Sequence, residues 1–377
     1  MPVITCIEDL RQMSRRRIAR AIFDYVDRGS YGEYTLRANR ADLEALTLRQ
    51  RVAVDVDRRS TRSTLLGQEV SMPVALAPVG LTGLNWANGE MLAARAAERF
   101  GVPYTLSTMS ICSIEDVASA VTRPFWFQLY VMRDRGFAAS LIERAKAAGC
   151  SALVLTLDLQ VQGQRHRDLK NGLAVPPHLT LGTLFDVARK PGWAFNVLRG
   201  KRKSFGNLEG RIPNADSLTT LSQWIAGQFD PTLSWKDVEW VKKLWGGKLI
   251  LKGILDAEDA KIAASTGADA IVVSNHGGRQ LDSTSSSIRA LPEVVDAVGA
   301  SLEVLFDGGI RSGQDLLKAL ALGAKGAMIG RAYAYGLGAL GEKGVTRALE
   351  IIRGELDVSM ALCGLRDVKR ASPAILR

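Results

Sequence analysis

The chain has 377 residues, 47% hydrophobic and 23% charged, a globular composition that excludes intrinsic disorder and leaves room for two domains or for one barrel with insertions. No apolar run approaches the roughly eighteen residues of a membrane-spanning helix, and the opening Met1-Pro-Val-Ile-Thr-Cys-Ile-Glu8 lacks the basic-then-apolar pattern of a secretion signal, so a cytoplasmic protein is expected. The formal charge of +10 calls for an acidic partner: a small anion, nucleic acid or an anionic membrane surface.

Residues 5–30 read as one helix, with apolar positions recurring through Ile18, Ala21, Ile22 and Tyr25 and an end at Gly29. The run Arg15-Arg16-Arg17 reads as a solvated face of it. Residues 35–72 form an entry segment of helix and irregular strand, with a hairpin turn at Gly67. A regular alternation then begins. Short apolar strands are expected at 73–78, 102–107, 125–130, 152–158, 249–253, 270–273, 303–307 and 326–330. Helices are expected at 88–100, 114–120, 134–148, 235–244, 257–266, 287–298 and 313–322. A long irregular stretch from about 160 to 234 interrupts the pattern after the fourth strand. Ala148-Gly149, Gly267-Ala268 and Gly323-Ala324 each stand just before a strand, where glycine supplies a left-handed helix terminus.

Eight buried strands alternating with helices predict a (β/α)8 TIM barrel with an N-terminal helical segment and a long insertion after strand 4. The expected organisation is one domain over 1–377, with the barrel at 73–350 and the insertion at 160–234. A doubly wound open sheet is the alternative; the count of eight and the absence of a Gly-x-Gly-x-x-Gly opening favour the barrel. The four cysteines, Cys6, Cys112, Cys150 and Cys363, are scattered without metal-ligand spacing and read as reduced thiols.

A barrel of this type carries its active site at the C-terminal ends of its strands. Those ends here are Pro78-Val79-Gly80, Ser107, Gln128 with Tyr130, Thr156 with Asp158, Lys252, Ser274 with His276, Asp307-Gly308-Gly309-Ile-Arg311, and Gly330-Arg331. Lys252 follows the apolar run Leu249-Ile-Leu251, and Asp158 ends another. Buried charges of this kind need partners. The last two ends, with glycines beside Arg311 and Arg331, suit a phosphate held by the loops after strands seven and eight. His276 beside a carboxylate suits a general base, Arg165 and Arg279 a carboxylate clamp, and Lys252 a fixed cation. Together these point to oxidation of a hydroxy acid by a phosphorylated cofactor. No Cys or His cluster suits a metal; His166 and His178 read as ordinary loop residues.

The stretch Ser274-Asn-His-Gly-Gly-Arg-Gln-Leu-Asp282 resembles the active-site motif of the FMN-dependent (S)-2-hydroxy acid dehydrogenase and oxidase family. Further likeness lies in Leu106-Ser-Thr-Met-Ser-Ile-Cys112, Trp126-Phe-Gln-Leu-Tyr-Val131, Arg144-Ala-Lys-Ala-Ala-Gly-Cys150 and Lys252-Gly-Ile-Leu-Asp256. It runs from about Ile7 to Leu365, nearest to the membrane-associated bacterial branch that acts on L-lactate. The resemblance implies FMN as cofactor and a small 2-hydroxy acid as substrate, L-lactate to pyruvate first. It also implies a quinone or cytochrome acceptor and a homotetramer, with no nucleic acid. His276 is then the base and Asp158 its support, with Arg279, Tyr25, Tyr130 and Arg165 as substrate contacts. Lys252 resembles the lysine near flavin N1. Pro78, Val79, Gly80, Ser107, Gln128, Thr156 and Ser274 would line the flavin ring and ribityl chain. Asp307, Gly308, Gly309, Arg311, Gly330 and Arg331 would hold the ribityl and phosphate. Met109 and Gly80 depart from some members of the family, in pocket size and beside flavin N5 respectively. An oxygen-using oxidase or an (S)-mandelate dehydrogenase is the alternative, a nucleotide-oxidising barrel a further one, and a basic nucleic-acid-binding protein a distant one.

Between Asp186 and Arg211 seven Lys or Arg residues interleave with Phe185, Trp193, Phe195 and Phe205. That pattern suits a patch lying on anionic lipid, at the inner face of the cell membrane.

Overall fold

The computed structural model describes residues 3–172, 180–209, 224–225 and 227–377. Eight parallel strands form a barrel: β3 Val74–Leu76, β4 Thr105–Ser107, β5 Trp126–Leu129, β6 Ala152–Thr156, β7 Lys248–Ile254, β8 Ala270–Val273, β9 Glu303–Phe306 and β10 Gly326–Ile329. Each pairs with its sequence neighbour, β10 returns to β3, and the ring closes between β3 and β4 where Leu76 N–H donates to Pro103 O at 2.8 Å. The expected strands are all present: six are shortened at their ends, β8 matches the expected bounds, and β7 runs one residue further at each end. They are mainly apolar because a parallel strand is covered on both faces: one set of residues, including Trp126, Val154, Ile250, Val272, Leu305 and Met328, fills the barrel, and the other meets the surrounding helices.

The hairpin expected around Gly67 is β1 Ser63–Leu65 and β2 Gln68–Val70, turned by Leu66 and Gly67 at φ +48° and +79°, the two-residue turn that suits strand twist. Its Leu65 and Val70 pack against the barrel's interior residues, and Leu66 N–H donates to Glu303 at the start of β9 at 2.9 Å. The hairpin therefore plugs the N-terminal end and leaves the C-terminal end as the open one. Gly149, Gly267 and Gly323 take φ of +71°, +74° and +101°, the helix-to-strand role expected of them.

Two segments differ from the sequence reading. Residues 5–30 form two helices, Ile7–Arg17 and Arg20–Asp27, because Ile18 and Ala19 are extended and both buried. The break turns the second helix, which carries Tyr25, over the barrel mouth, and Lys190 from the insertion takes up the freed carbonyls of Arg15 and Ile18. Arg17 stacks on Trp86 at 3.9 Å, so the Arg15–Arg17 run is partly engaged by the fold. The insertion holds helices His166–Lys170, Leu181–Ala188 and Pro191–Leu198 where irregular chain was expected. Thr180 caps the second through its hydroxyl and Pro191 opens the third, start signals hidden by the shortness of the helices. His178 and Arg211 lie outside the described residues.

Candidate active site

A cavity of about 500 Å³ opens at the C-terminal ends of the strands, within the size range of cofactor and ligand pockets. Local backbone devices place its charged groups. β7 shifts register between Lys252 and Ile254, with Gly253 at φ +104°, and a Cβ there would stand 2.7 Å from the Asp158 side chain. Glycine at 253 lets Asp158 pack against β7 beside Lys252. The loop after β8 turns through three consecutive left-handed residues, His276, Gly277 and Gly278, at φ +57°, +63° and +72°. For His276 that conformation costs on the order of 1–3 kcal/mol. The surroundings hold it: Ser274 Oγ accepts from His276 N–H at 3.1 Å, Asn275 and Asn39 exchange amide hydrogen bonds of 2.8 and 2.7 Å, and Ser30 N–H donates to Gly278 O at 2.9 Å.

His276 Nδ1 lies 2.8 Å from Asp158 Oδ1, which leaves Nε2 as the ring nitrogen for the cavity. Burial drives the imidazole's pKa below the ordinary histidine value, and the pull of Asp158 only partly offsets it. Burial also works to raise the Asp158 carboxyl, but His276 and Lys252 outweigh it and hold it below the usual range. The pair is thus a neutral imidazole, protonated at Nδ1, on an ionised carboxylate: a base whose charged form has its counter-ion in place.

Lys252 is buried and bridges Asp307 Oδ2 at 3.0 Å and Ser274 Oγ at 2.9 Å. Burial opposes its charge, yet Asp307 and Asp158 overcome that and keep it protonated. The arginines are differently placed. Arg331 donates to the carbonyls of Val26, Gly277 and Arg28 at 2.8, 2.8 and 3.0 Å, and Arg311 stacks on Tyr335 at 5.1 Å. Neither has a carboxylate partner among the described residues. Burial lowers Arg331 to about 10, the mark of a cation enclosed without its anion. Arg165, at the start of the insertion's first helix, donates to Arg279 O at 3.3 Å. Arg279 donates to the carbonyls of Tyr25 and Arg28 and covers the Tyr25 ring at 4.8 Å. These two also lack carboxylate partners among the described residues. Burial pushes the Tyr130 hydroxyl well above its ordinary value, so it remains a proton donor.

Most of the residues singled out from sequence stand in the cavity wall: Tyr25, Pro78, Val79, Gly80, Ser107, Tyr130, Thr156, Arg165, Lys252, His276, Arg279, Asp307, Gly308, Gly309, Arg311, Gly330 and Arg331. Asp158, Gln128 and Ser274 lie directly behind the wall. Ser274, expected to look towards the cofactor, is occupied by Lys252 and His276. Phe205, expected in the lipid patch, is instead buried and lines the cavity, and sequence reasoning missed Leu159, Gln162, Gln164, Asp168, Leu169, Ile225 and Phe229, which also line it. The apolar ones stand out in a polar insertion, which is the only signal the sequence offered.

Four buried polar atoms at this site have no partner among the described residues: Gln128 Nε2, Thr156 Oγ1, Asp158 Oδ2 and Asp307 Oδ1. A donor, a hydroxyl and carboxylate oxygens left open, at a cavity that Arg311 and Arg331 also line, suit a ligand that combines a heteroaromatic rim, hydroxyls and a phosphate. The sequence matches the FMN-dependent dehydrogenase family over residues 14–377. The chain belongs to that family. It is 49% identical over 375 residues to an L-lactate dehydrogenase of Caulobacter vibrioides, covering 99% of this chain and 98% of that one. An L-lactate dehydrogenase of Pseudomonas syringae is 47% identical over the same shares. Among solved structures, a monotopic membrane protein (S)-mandelate dehydrogenase superposes with a TM-score of 0.95 at 37% identity over the whole of both chains. FMN is the family's cofactor, and the open polar atoms of this site, with two cavity arginines that lack carboxylate partners among the described residues, fit it.

Proposed function

We propose that this chain oxidises L-lactate to pyruvate and passes the electrons to a quinone or cytochrome. The observation that carries the reading is one cavity wall holding a neutral His276 backed by ionised Asp158, with Arg165 and Arg279 lacking carboxylate partners among the described residues. FMN, when bound, supplies the two-electron acceptor for the hydrogen at substrate C2. Arg165 and Arg279 hold the substrate carboxylate in guanidinium hydrogen bonds, and the Tyr25 and Tyr130 hydroxyls donate to its oxygens. His276 Nε2 takes up one substrate proton, and the resulting imidazolium rests on Asp158. Lys252, fixed on Asp307 and Ser274, contributes a cation to the cofactor's wall. Arg311 and Arg331 neutralise the FMN phosphate, while Gly308 and Gly309 let the loop that carries Arg311 pack against Ser287 and Asn39, and Gly330 lines the cavity beside Arg331. Pro78, Val79, Gly80, Ser107, Thr156 and Gln128 surround the ring and ribityl chain.

The relatives named L-lactate dehydrogenase, alike over almost their whole length, favour lactate. The apolar wall of Met109, Leu159, Leu169, Ile225 and Phe229 favours an aromatic acid such as (S)-mandelate as the second reading. Steady-state assays of the holoenzyme with L-lactate, glycolate and (S)-mandelate, each with a quinone analogue or with oxygen, decide it. The expected result is the highest kcat/KM with L-lactate and quinone; no turnover of L-lactate overturns the reading.

We place the protein peripherally at the inner face of the cell membrane, as a homotetramer. Helices Leu181–Ala188 and Pro191–Leu198 expose Leu181, Leu184, Phe185, Phe195 and Leu198, with Arg189, Arg199, Lys201 and Lys203 exposed in the same segment. No helix among the described residues is long and apolar enough to cross a membrane, so the patch lies on the surface. Replacing Phe185, Phe195 and Leu198 together by Ser should abolish co-sedimentation with anionic liposomes; unchanged binding refutes the patch.

A further inference from the structure

Asp168 is a buried carboxylate that the mechanism above does not use. It lies on the helix His166–Lys170, is 7% exposed, and lines the cavity. An acidic residue at this third helical position ordinarily reaches back to the helix cap; here the cap residue, Arg165, has no side-chain cap hydrogen bond. Among the described residues Asp168 makes no ion pair within 4.0 Å and no side-chain hydrogen bond. Its neighbour Asp24 is differently placed, accepting from Asn171 at 2.9 Å and faced by Arg20, Arg28 and Arg167. Burial raises the Asp168 carboxyl above its ordinary value and Asp24 adds to the rise, while Arg279 and Arg165, the two guanidiniums without carboxylate partners among the described residues, pull it back. A buried carboxylate with neither hydrogen bond nor close ion pair costs stability, and neither capping nor a local ion pair accounts for it.

The charges around the cavity sort into three groups. Lys252 is balanced by Asp307, with Asp158 backing His276. Arg311 and Arg331 stand where a phosphate dianion would balance them. Arg165 and Arg279 carry two positive charges against the one of Asp168, leaving a single positive charge for the substrate.

We propose that Asp168 is a specificity-determining residue that restricts the site to monocarboxylic 2-hydroxy acids. This rests on the carboxylate-clamp reading of Arg165 and Arg279 given above. One substrate carboxylate brings the subsite to neutrality. A second, as in L-malate, adds an uncompensated negative charge in a site of low dielectric beside a fixed negative charge. Asp168 also weakens the clamp's hold on the keto acid product, which keeps the same carboxylate.

The test compares wild type, Asp168→Asn and Asp168→Glu as FMN-loaded proteins. Asn has the shape of Asp without the charge; Glu keeps the charge. The expected result is that Asp168→Asn raises the malate-to-lactate ratio of kcat/KM by about tenfold or more and lowers the inhibition constant of pyruvate. Asp168→Glu should keep the wild-type preference. Equilibrium titration with acetate and malonate, followed by the flavin spectrum, reads the same discrimination without turnover: malonate should bind more weakly than acetate to the wild type and gain selectively in Asp168→Asn. An Asp168→Asn protein with unchanged preference in both measurements overturns the proposal, because Asp168 is then uncharged in the site or without effect on it. A wild type that leaves L-lactate unoxidised overturns the functional reading instead, and the acetate–malonate titration still decides the role of Asp168.

Discussion

Replacing Asp158 by Asn tests the electrostatic core of the site. The carboxamide oxygen of the Asp158→Asn side chain can still accept the Nδ1–H hydrogen bond now made at 2.8 Å, so geometry survives and only the charge is lost. With charge centres about 4 Å apart and an effective dielectric near 20, a carboxylate stabilises an imidazolium by about 4 kcal/mol. At about 1.4 kcal/mol per decade, full loss of that contribution slows proton transfer by roughly three decades, and a half-developed charge in the transition state brings the figure to between about one and two. Asp158 stands behind the cavity wall, so substrate binding should change little. Anaerobic stopped-flow reduction of bound FMN, with substrate concentration varied, separates the two quantities. The expected pattern is a limiting rate at least about tenfold lower with a half-saturating concentration within about threefold of wild type. A limiting rate equal to wild type, or a loss expressed wholly in binding, refutes the role assigned to Asp158.

Arg331→Ala removes a cation that has no carboxylate partner among the described residues, and should weaken FMN binding by roughly 10- to 100-fold, measured by fluorescence titration of the apoprotein. Lys252→Met leaves the Asp307 carboxylate buried without its 3.0 Å partner and should destabilise the fold by about 3–5 kcal/mol, read from denaturant unfolding of the apoprotein. Burial depresses the His276 pKa and the base works in its neutral form, so kcat/KM should hold through the ordinary histidine range and fall only at more acid pH. In Asp158→Asn the loss of the group that raises that pKa should move the acid limb further down, and a limb at or above the ordinary histidine value contradicts the assignment. Stripping FMN should lower the melting temperature, and readdition at about 100 times its Kd should restore roughly 2.7 kcal/mol.

The barrel was legible because its strands are short, apolar on both faces and separated by helices that start and stop on clear signals, such as Gly149 and Gly267. The loop carrying His276 was legible for a local reason too: Gly277 and Gly278 mark the left-handed turn that the histidine shares. What stayed hidden depends on chain brought from elsewhere. The break at Ile18 and Ala19 is an act of tertiary packing, fixed by burial and by Lys190. The pairing of Lys252 with Asp307 joins two strand ends whose relative position only the closed barrel sets. Asp168 falls in the stretch read as irregular chain, and its place in one cavity wall with Arg165 and Arg279 appears only in the fold.

The central claim is that His276 accepts a proton as L-lactate reduces FMN in this cavity. Anaerobic mixing of the FMN-loaded protein with L-lactate and with D-lactate, for wild type and His276→Ala, tests it most directly. The account predicts rapid bleaching of the flavin by the L-enantiomer alone in the wild type, slowed by about three decades or more in His276→Ala. Flavin reduction by L-lactate at near wild-type speed in His276→Ala would contradict it.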